Sequence, residues 1–542
     1  MQQRITINLN TDSKTTDKPT ILEYCRSHGI TGIETPCGGK GTCGKCKVTV
    51  TKPYYKDVLA CQMKICDGME IIVGRKESTG TKEDSMVVLT NGGSISEKFN
   101  EHVNRNVVLK EETANESEKV ESNEDTLAAC DIGTTTVVCY LIDKETGQII
   151  STRSGANPQR SFGADVLSRI DAAARADDND KANGGLQMMQ TQIVSLLNGW
   201  ISEMLTECGR TKVSRFSVAG NTVMCHLLMG ISPEKLGKAP FMPDEYFGRE
   251  FNPLDIGLEN CQTMIIFPAV SGFVGGDITA GMMETLNCNE LTLYLDIGTN
   301  GEMALGIGDR YVCCATAAGP AFEGSQIELG MPASKGAVDK VWLEGRRIKY
   351  SVIGNDRPVG LCGSGLIDAL AVLLKAGIID ENGTILSGQE LPILFRSYVF
   401  EVEAEETAQS TELSLAVHIA PGVYITQEDI RKLQLAKGAI AAGIEVLFKE
   451  YGCKPCDLDI LTFAGGFGNY IDKASAAAIG LFPQELLDKA KEVGNAAGNG
   501  AVSAALSQEA WKRALDISGN MRYIELASYP HFNEMYVEHM NF

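Results

Sequence analysis

The chain has no apolar run of membrane-spanning length, so nothing in it reads as a bilayer span. Its first residues, Met1-Gln-Gln-Arg-Ile-Thr-Ile-Asn-Leu9, alternate like a strand and lack the apolar core of an export signal. These absences predict a cytoplasmic protein with no membrane contact. Basic residues are in deficit: 49 Lys and Arg stand against 70 Asp and Glu, a net charge of -21 and a pI near 4.9. Such a surface repels phosphodiester backbones and excludes general nucleic-acid binding. No G-x4-G-K-[ST] loop is present, which excludes a P-loop nucleotide site. The odd count of 17 cysteines, without an export signal, excludes a disulfide framework. Most sit in apolar runs (Cys139, Cys225, Cys288, Cys313, Cys314) and read as small buried hydrophobes.

What is present is length and a globular balance. With 542 residues, 44% hydrophobic and 22% charged, the chain is too long for one core and is expected to form several domains.

Four cysteines near the start stand apart. Cys37-Gly-Gly-Lys-Gly-Thr-Cys43-Gly-Lys-Cys46, followed by Cys61, has the spacing C-x5-C-x2-C-x14-C. Four thiolates, two per iron, are what a [2Fe–2S] cluster requires, and the glycines let a loop wrap it closely. Zinc ribbons prefer two C-x2-C knuckles, and this segment has one. Cys61 is preferred over Cys66 as the fourth ligand because it sits before the Gly68 turn and the last strand. Cys25 falls on a short helix, Thr20 to His28, and reads as core. Residues 1–76 resemble the β-grasp ferredoxin domain, with a first spacing one residue longer than the plant pattern C-x4-C-x2-C. That resemblance implies a one-electron carrier of roughly -400 mV.

Residues 77–126 change character. Glu111 to Asp125 is an acidic, low-complexity run that cannot bury enough apolar surface to offset ordering, so a self-repelling linker is expected.

The remainder is organised around a repeated turn. Leu127-Ala-Ala-Cys130-Asp131-Ile-Gly133-Thr134-Thr135-Thr136 is an apolar strand ending in an aspartate and a hydroxyl-rich glycine turn. Leu293-Tyr-Leu-Asp296-Ile-Gly298-Thr299-Asn300-Gly301-Glu302 repeats the shape. Backbone N–H groups and hydroxyls at such strand ends can surround phosphate oxygens, and each Asp can hold Mg²⁺ directly or through water. One such turn is ordinary hairpin chemistry; two in one chain point to a duplicated nucleotide site. Between and after them come Val218-Ala-Gly-Asn-Thr222, Gly275-Gly-Asp277, and Ala464-Gly465-Gly466-Phe-Gly468. Gly494-Asn-Ala-Ala-Gly498-Asn-Gly500 closes the series. Residues 185–207 and the stretch around Ile430 to Gly443 carry helical periodicity, and His226 reads as a core histidine rather than a ligand. Cys453-x2-Cys456 has no partner ligands and reads as incidental.

This order of motifs resembles the superfamily of acetate and sugar kinases, heat-shock chaperones and actin. The resemblance implies an α/β protein with two similar lobes, here residues 127–290 and 291–542, and ATP in the cleft between them. It implies that Asp131, Gly133, Thr134 and Thr135 form one phosphate turn. Asp296, Gly298, Thr299 and Asn300 form the other, and Gly465 and Gly466 flank the adenosine. Asp277 falls where sugar kinases carry a catalytic Asp; it would orient the attacking water, hold Mg²⁺ or serve structure.

A ferredoxin domain ahead of such an ATPase narrows the match. The stretches Ala315-Thr-Ala-Ala-Gly-Pro-Ala-Phe-Glu323-Gly, Cys362-Gly-Ser-Gly-Leu-Ile-Asp368, Gln434-Leu-Ala-Lys-Gly-Ala-Ile440 and Ala464 to Tyr470 are similar to the reductive activators of corrinoid-dependent enzymes. Many members carry a longer segment before the first phosphate turn. The family resemblance implies ATP-dependent reduction of cob(II)amide to cob(I)amide on a corrinoid protein of a methyltransferase system. A low-potential external reductant and a homodimer are also implied. The other readings are an activator of a radical dehydratase, a small-molecule kinase with a redox-sensing domain, and a redox-gated chaperone.

Overall fold

The computed structural model describes residues 3–7, 19–27, 30, 33, 39, 46–52, 56–66, 68–73, 126–175, 184–286, 289–298, 300–324, 326–403, 413–468 and 470–542. Cys37, Cys43, Cys288, Thr299 and residues 77–125 of the expected linker lie outside the described residues, while Thr126, its expected last residue, is already the first residue of a strand. The described residues gather into two compact units, one ending at Gly275 and the other running from Gly276 to Phe542.

The first unit opens with strands β1 (Gln3–Ile7), β2 (Lys47–Lys52), β3 (Lys56–Leu59) and β4 (Met69–Val73), ordered β1-β4-β2-β3 and antiparallel throughout. Their alternation puts Val48, Val50, Met69, Ile71 and Val73 on one face. The helix Ile21–Ser27 closes that face with Ile21, Leu22 and Cys25, so Cys25 is core, as its position in the pattern predicted.

A second sheet follows: β5 (Thr126–Ile132), β6 (Thr136–Asp143), β7 (Ile149–Ala156), β8 (Val213–Gly220), β9 (Arg249–Phe251) and β10 (Cys261–Ile266). Its order is β7-β6-β5-β8-β10-β9. The first three strands form an antiparallel meander, and β8 and β10 add in parallel. Helices make the parallel crossovers, as geometry requires. The helix Gly185–Glu207 buries Met189, Ile193, Leu197 and Ile201, one residue every fourth, against the sheet.

The second unit repeats the plan. Strands β11 (Thr292–Ile297), β12 (Gly301–Ile307) and β13 (Arg310–Thr316) make the meander. Two small three-stranded sheets intervene: β14 (Ala337–Glu344), β15 (Arg347–Val352) and β16 (Gly360–Leu361), then β17 (Val399–Glu403), β18 (Leu413–Ala420) and β19 (Val423–Thr426). Then β20 (Ile460–Ala464) and β21 (Ala490–Glu492) add in parallel beside β11, and β22 (Met521–Tyr523) joins β13. Third, second, first and fourth strands therefore lie side by side with the same senses in both large sheets, and one more parallel strand, β10 or β21, follows the fourth. The shared order makes this a structural duplication, not merely a repeated motif.

The helix Gln427–Tyr451 crosses behind β12 and β13. Thr426 and Asp429 form a capping box at its start, and Gly452, at φ 83°, ends it. Among the described residues no helix is long and apolar enough to cross a membrane.

Candidate functional site

The first Asp–Gly–Thr turn joins β5 to β6. Asp131 is the last-but-one residue of β5, paired with Val138 on one side and Ala219 on the other. Three carbonyls of the turn are engaged by donors. Asn157 Nδ2 donates to Gly133 O at 2.8 Å, the Asn157 amide donates to Thr135 O at 2.9 Å, and Arg169 Nη2 donates to Thr134 O. In a trans peptide the N–H opposes the C=O. The amides of Thr134 and Thr135 are therefore turned away from these donors, which is the arrangement an anion needs. Asn221, N-cap of the helix Thr222–Met229, holds the Thr134 hydroxyl at 3.1 Å. Gly133 must be glycine, because a Cβ there would lie 2.8 Å from Thr136 O. His226 is fully buried with Nδ1 at 2.8 Å from Thr222 O, a core residue as expected. Burial pulls its pKa below the ordinary value.

The second turn joins β11 to β12 in the other unit. Gly298 N donates to Asn300 O at 2.9 Å, closing a tight turn. That tightness sets Asp296 directly opposite Glu302 across the hairpin. Like charges facing each other on a ladder repel. Asn300 Nδ2 reaches Glu302 Oε1 at 3.3 Å, and Glu323 Oε1 lies 4.0 Å from where a Gly298 Cβ would stand. Parallel pairing of β20 places Ala464 beside Asp296, so Gly465 abuts the carboxylate: a Cβ there would sit 2.4 Å from Asp296 Oδ1. Gly465 also has φ 81°, a conformation that side chains resist. Gly466 follows in the short helical turn Gly465–Gly468.

Asp277 opens the helix Gly276–Thr285 and its carboxylate accepts from the Ile278 amide at 2.9 Å. Burial pushes Asp277 up to about 6. Burial, then the charge of Asp277, pushes Asp296 up to about 7. Glu302 rises well above its ordinary value through burial and then through the charges of Asp277 and Asp296. The mutual repulsion brings Asp277, Asp296 and Glu302 into one electrostatic cluster. Among the described residues no group of three or more His, Cys, Asp and Glu is arranged to hold a metal ion alone.

Gly494 to Gly500 serves packing. A Gly500 Cβ would lie 2.2 Å from Ala280 O, so the helix Ala496–Leu506 lies tightly on Gly276–Thr285. It supports Asp277 from behind.

In the cluster domain, Cys46 is buried at the start of β2 and Cys61 lies in the turn after β3. Their sulfurs are 3.2 Å apart, and neither is in a disulfide. Two thiols converging on one point fit a pair of ligands to one iron. Cys66, five residues on, is not part of that pair.

Sequence reasoning named Asp131, Asp277, Asp296, Cys46 and Cys61 but missed Glu302, Asn157, Asn221 and Arg169. Glu302 was recoverable: an acid placed just after a tight turn must face the acid placed just before it. Asn221 lay inside the quoted Val218–Thr222 motif without a role assigned to it, whereas Asn157 and Arg169 come from distant segments with no local signal.

Comparison with known proteins places these features. The family described as the C-terminal domain of RACo, the ASKHA domain, matches residues 290–542. The RACo middle region matches residues 127–287, and the 2Fe-2S iron-sulfur cluster binding domain matches residues 7–66. The corrinoid activation enzyme RamQ of Eubacterium limosum is 33% identical, covering 95% of each chain. A [Co(II) methylated amine-specific corrinoid protein] reductase of Methanosarcina barkeri is 28% identical over 66% of this chain and 65% of its own. The solved structure of a reductive activator for corrinoid, iron-sulfur protein matches 99% of this chain and 98% of that one, with 29% identity and a TM-score of 0.66.

Proposed function

The chain belongs to the family of reductive activators of corrinoid proteins, and on that premise we propose that it reduces a partner's Co(II) corrinoid to Co(I) in an ATP-dependent step. The observation that carries the reading is the union, in one chain, of the converging thiols Cys46 and Cys61 with two Asp-ended hairpins on duplicated sheets. A [2Fe–2S] cluster on Cys37, Cys43, Cys46 and Cys61 supplies one-electron transfer, and bound Mg-ATP supplies the free energy.

The chain's own groups divide the remaining work. The amides of Thr134 and Thr135, with Gly133, receive phosphate oxygens, while the Asp131 carboxylate takes Mg²⁺ directly or through water. Gly298, Thr299 and Asn300 form the corresponding turn of the second unit. Burial first, and then neighbouring negative charge, raises Asp296 and Glu302, and a divalent cation such as Mg²⁺ would offset both. Burial raises Asp277 to about 6, which makes its carboxylate a better proton acceptor than an ordinary one, and it stands at a helix start, where it can orient a water molecule. Gly465 and Gly466 leave room for the adenosine. Each ~100 mV of uphill electron transfer costs roughly 2.3 kcal/mol. Nucleotide can offset that cost only by favouring one conformation over another.

The partner is read as the corrinoid protein of a methyltransferase system, fed by a low-potential external reductant. A homodimer and a cytoplasmic place, where free thiols persist, complete the reading. The dehydratase-activator, kinase and chaperone readings each leave either the cluster domain or the matched length unused.

The test is spectroscopic. The protein is purified anaerobically, its cluster reduced, and cob(II)amide-loaded corrinoid proteins of methyltransferase systems are added. Co(I) absorption is expected only with ATP. No ATP-dependent Co(I) with any of them, or phosphorylation of a small metabolite instead, counts against the reading.

A further inference from the structure

The segment Asn157–Gly163 is tied at one end to the first phosphate turn and at the other to the cluster domain. At its start, Asn157 makes the two bonds to Gly133 O and Thr135 O already described, and its Oδ1 also caps the 3-10 turn Pro158–Ser161 through Gln159 N at 2.9 Å. Inside, Gln159 is fully buried and its Nε2 donates to Met189 O at 3.0 Å. Phe162 N returns to Gln159 O at 2.9 Å, so the segment is braced along its length. Arg169, 0% exposed, spans its far end to the turn: Nε donates to Gly163 O at 3.0 Å while Nη2 takes Thr134 O.

The outer side of the same segment is held by Arg26, from the helix Ile21–Ser27 of the cluster domain. Arg26 Nε and Nη2 both donate to Ser161 O, at 3.0 and 2.5 Å, and the guanidinium stacks 4.9 Å from the Phe162 ring centre. Arg26 Nη1 and Cys61 Cβ both lie within 4 Å of the point a Gly39 Cβ would occupy. One guanidinium thus touches the loop of one domain while standing beside the thiols of the other. Burial, and after it the charge of Arg175, lowers the Arg26 pKa to about 10, whereas Glu23, Cys61 and Cys46 favour its charge.

We propose that Asn157–Gly163 is a strut that couples the first phosphate turn to the cluster domain, with Arg169 and Arg26 as the positioning residues at its ends. The proposal rests on the nucleotide reading of the turn and deepens it. A ligand seated at Gly133–Thr135 competes for or reinforces the carbonyl geometry that Asn157 and Arg169 hold. Any shift is delivered to Ser161 O, where Arg26 either keeps or releases its grip. Arg26 also places a positive charge beside Cys46 and Cys61, which favours the more negative, reduced state of a cluster held there. Docking and reducibility therefore move together.

The experiment uses the full-length holoprotein, Mg-ATP and a non-hydrolysable ATP analogue. It follows amide hydrogen exchange of residues 19–27 and the reduced-to-oxidised ratio of the cluster by electron paramagnetic resonance at fixed potential. Nucleotide is expected to change both signals in the wild type. Arg26→Met should bind nucleotide within twofold of wild type yet lose both responses. Its reduced-to-oxidised ratio should fall about tenfold, equivalent to ~59 mV for one electron. Arg26→Lys keeps the charge but not the fork or the stack. It should hold the ratio within about threefold while losing the exchange response, and it serves if Arg26→Met does not fold. A wild type that binds nucleotide without any response in residues 19–27, or an Arg26→Met protein that retains the response, overturns the strut. A wild type that binds no nucleotide overturns the site reading, and the strut with it.

Discussion

Replacing Asp296 by asparagine should stabilise the nucleotide-free protein at neutral and alkaline pH while abolishing its response to Mg-nucleotide. In the folded chain burial, and after it the charge of Asp277, lifts the Asp296 pKa from 3.8 to about 7, and Asp296 also faces Glu302 across a hairpin. A folded pKa above the unfolded one means the native state binds the proton more tightly. The associated stability is full below about pH 4 and is lost as pH climbs to about 7. A rise of that size is equivalent to about 4 kcal/mol as a ceiling. Asp296 keeps part of its surface in solvent, so about 2 kcal/mol is the working figure.

Asparagine removes the charge and keeps the shape. Its advantage should be absent at pH 4, grow between pH 4 and 7, and level off above. For a unit of this size about 2 kcal/mol corresponds to roughly 4–8 °C in Tm. Thermal unfolding at pH 5, 6.5 and 8 without nucleotide reads the trend. Mg-ATP at a hundredfold excess over Kd should add about 2.7 kcal/mol to the wild type and nothing to the variant. An Asp296→Asn protein no more stable than wild type at pH 8, or one following the wild-type slope from pH 5 to 8, would refute the carboxylate-crowding argument.

Three further outcomes follow from single contacts. Cys61→Ser should bleach the visible cluster absorption while Cys66→Ser preserves it, since Cys61 is the residue whose sulfur meets Cys46 at 3.2 Å. Gly465→Ala should lower ATP affinity at least tenfold in a nucleotide titration, because the new Cβ meets Asp296 Oδ1 at 2.4 Å; the positive φ adds a strain of about 1–2 kcal/mol. Asn157→Ala strips the side-chain donor from Gly133 O and should cost about 1–3 kcal/mol by chemical denaturation, leaving the cluster spectrum unchanged.

How much of this was legible in the sequence depends on whether the signal is local. The Asp–Gly–Thr turns announced both hairpins because strand, acid and glycine lie within a few residues of one another. The helix Gly185–Glu207 was legible because its buried residues recur every fourth position. The strand β3 was not read, since Lys56 and Asp57 are exposed and the strand is only four residues long. Nor were the small sheets β14–β19, whose exposed residues interrupt their apolar ones. Gly494–Gly500 gave a glycine signal whose cause was close helix packing against Ala280. Arg26 and Arg169 were invisible for a different reason. Each acts on main-chain carbonyls, and a carbonyl acceptor leaves no residue type to recognise.

The two copies of the sheet have diverged in the charge they gather. The first turn carries the single acid Asp131 and is backed by Asn157, Asn221 and the buried cation Arg169, which offsets that charge. The second gathers Asp277, Asp296 and Glu302, all raised by burial and the latter two further by neighbouring negative charge, a setting in which a cation would be favoured. A magnesium nucleotide carries both signs. Exchanging the two environments is therefore not neutral. Arg169→Met would leave Thr134 O and Gly163 O without their buried donor, whereas a cation added near Asp296 would discharge the acids without any ligand. Duplication supplied two similar hairpins, and the side chains packed around each set the charge it gathers.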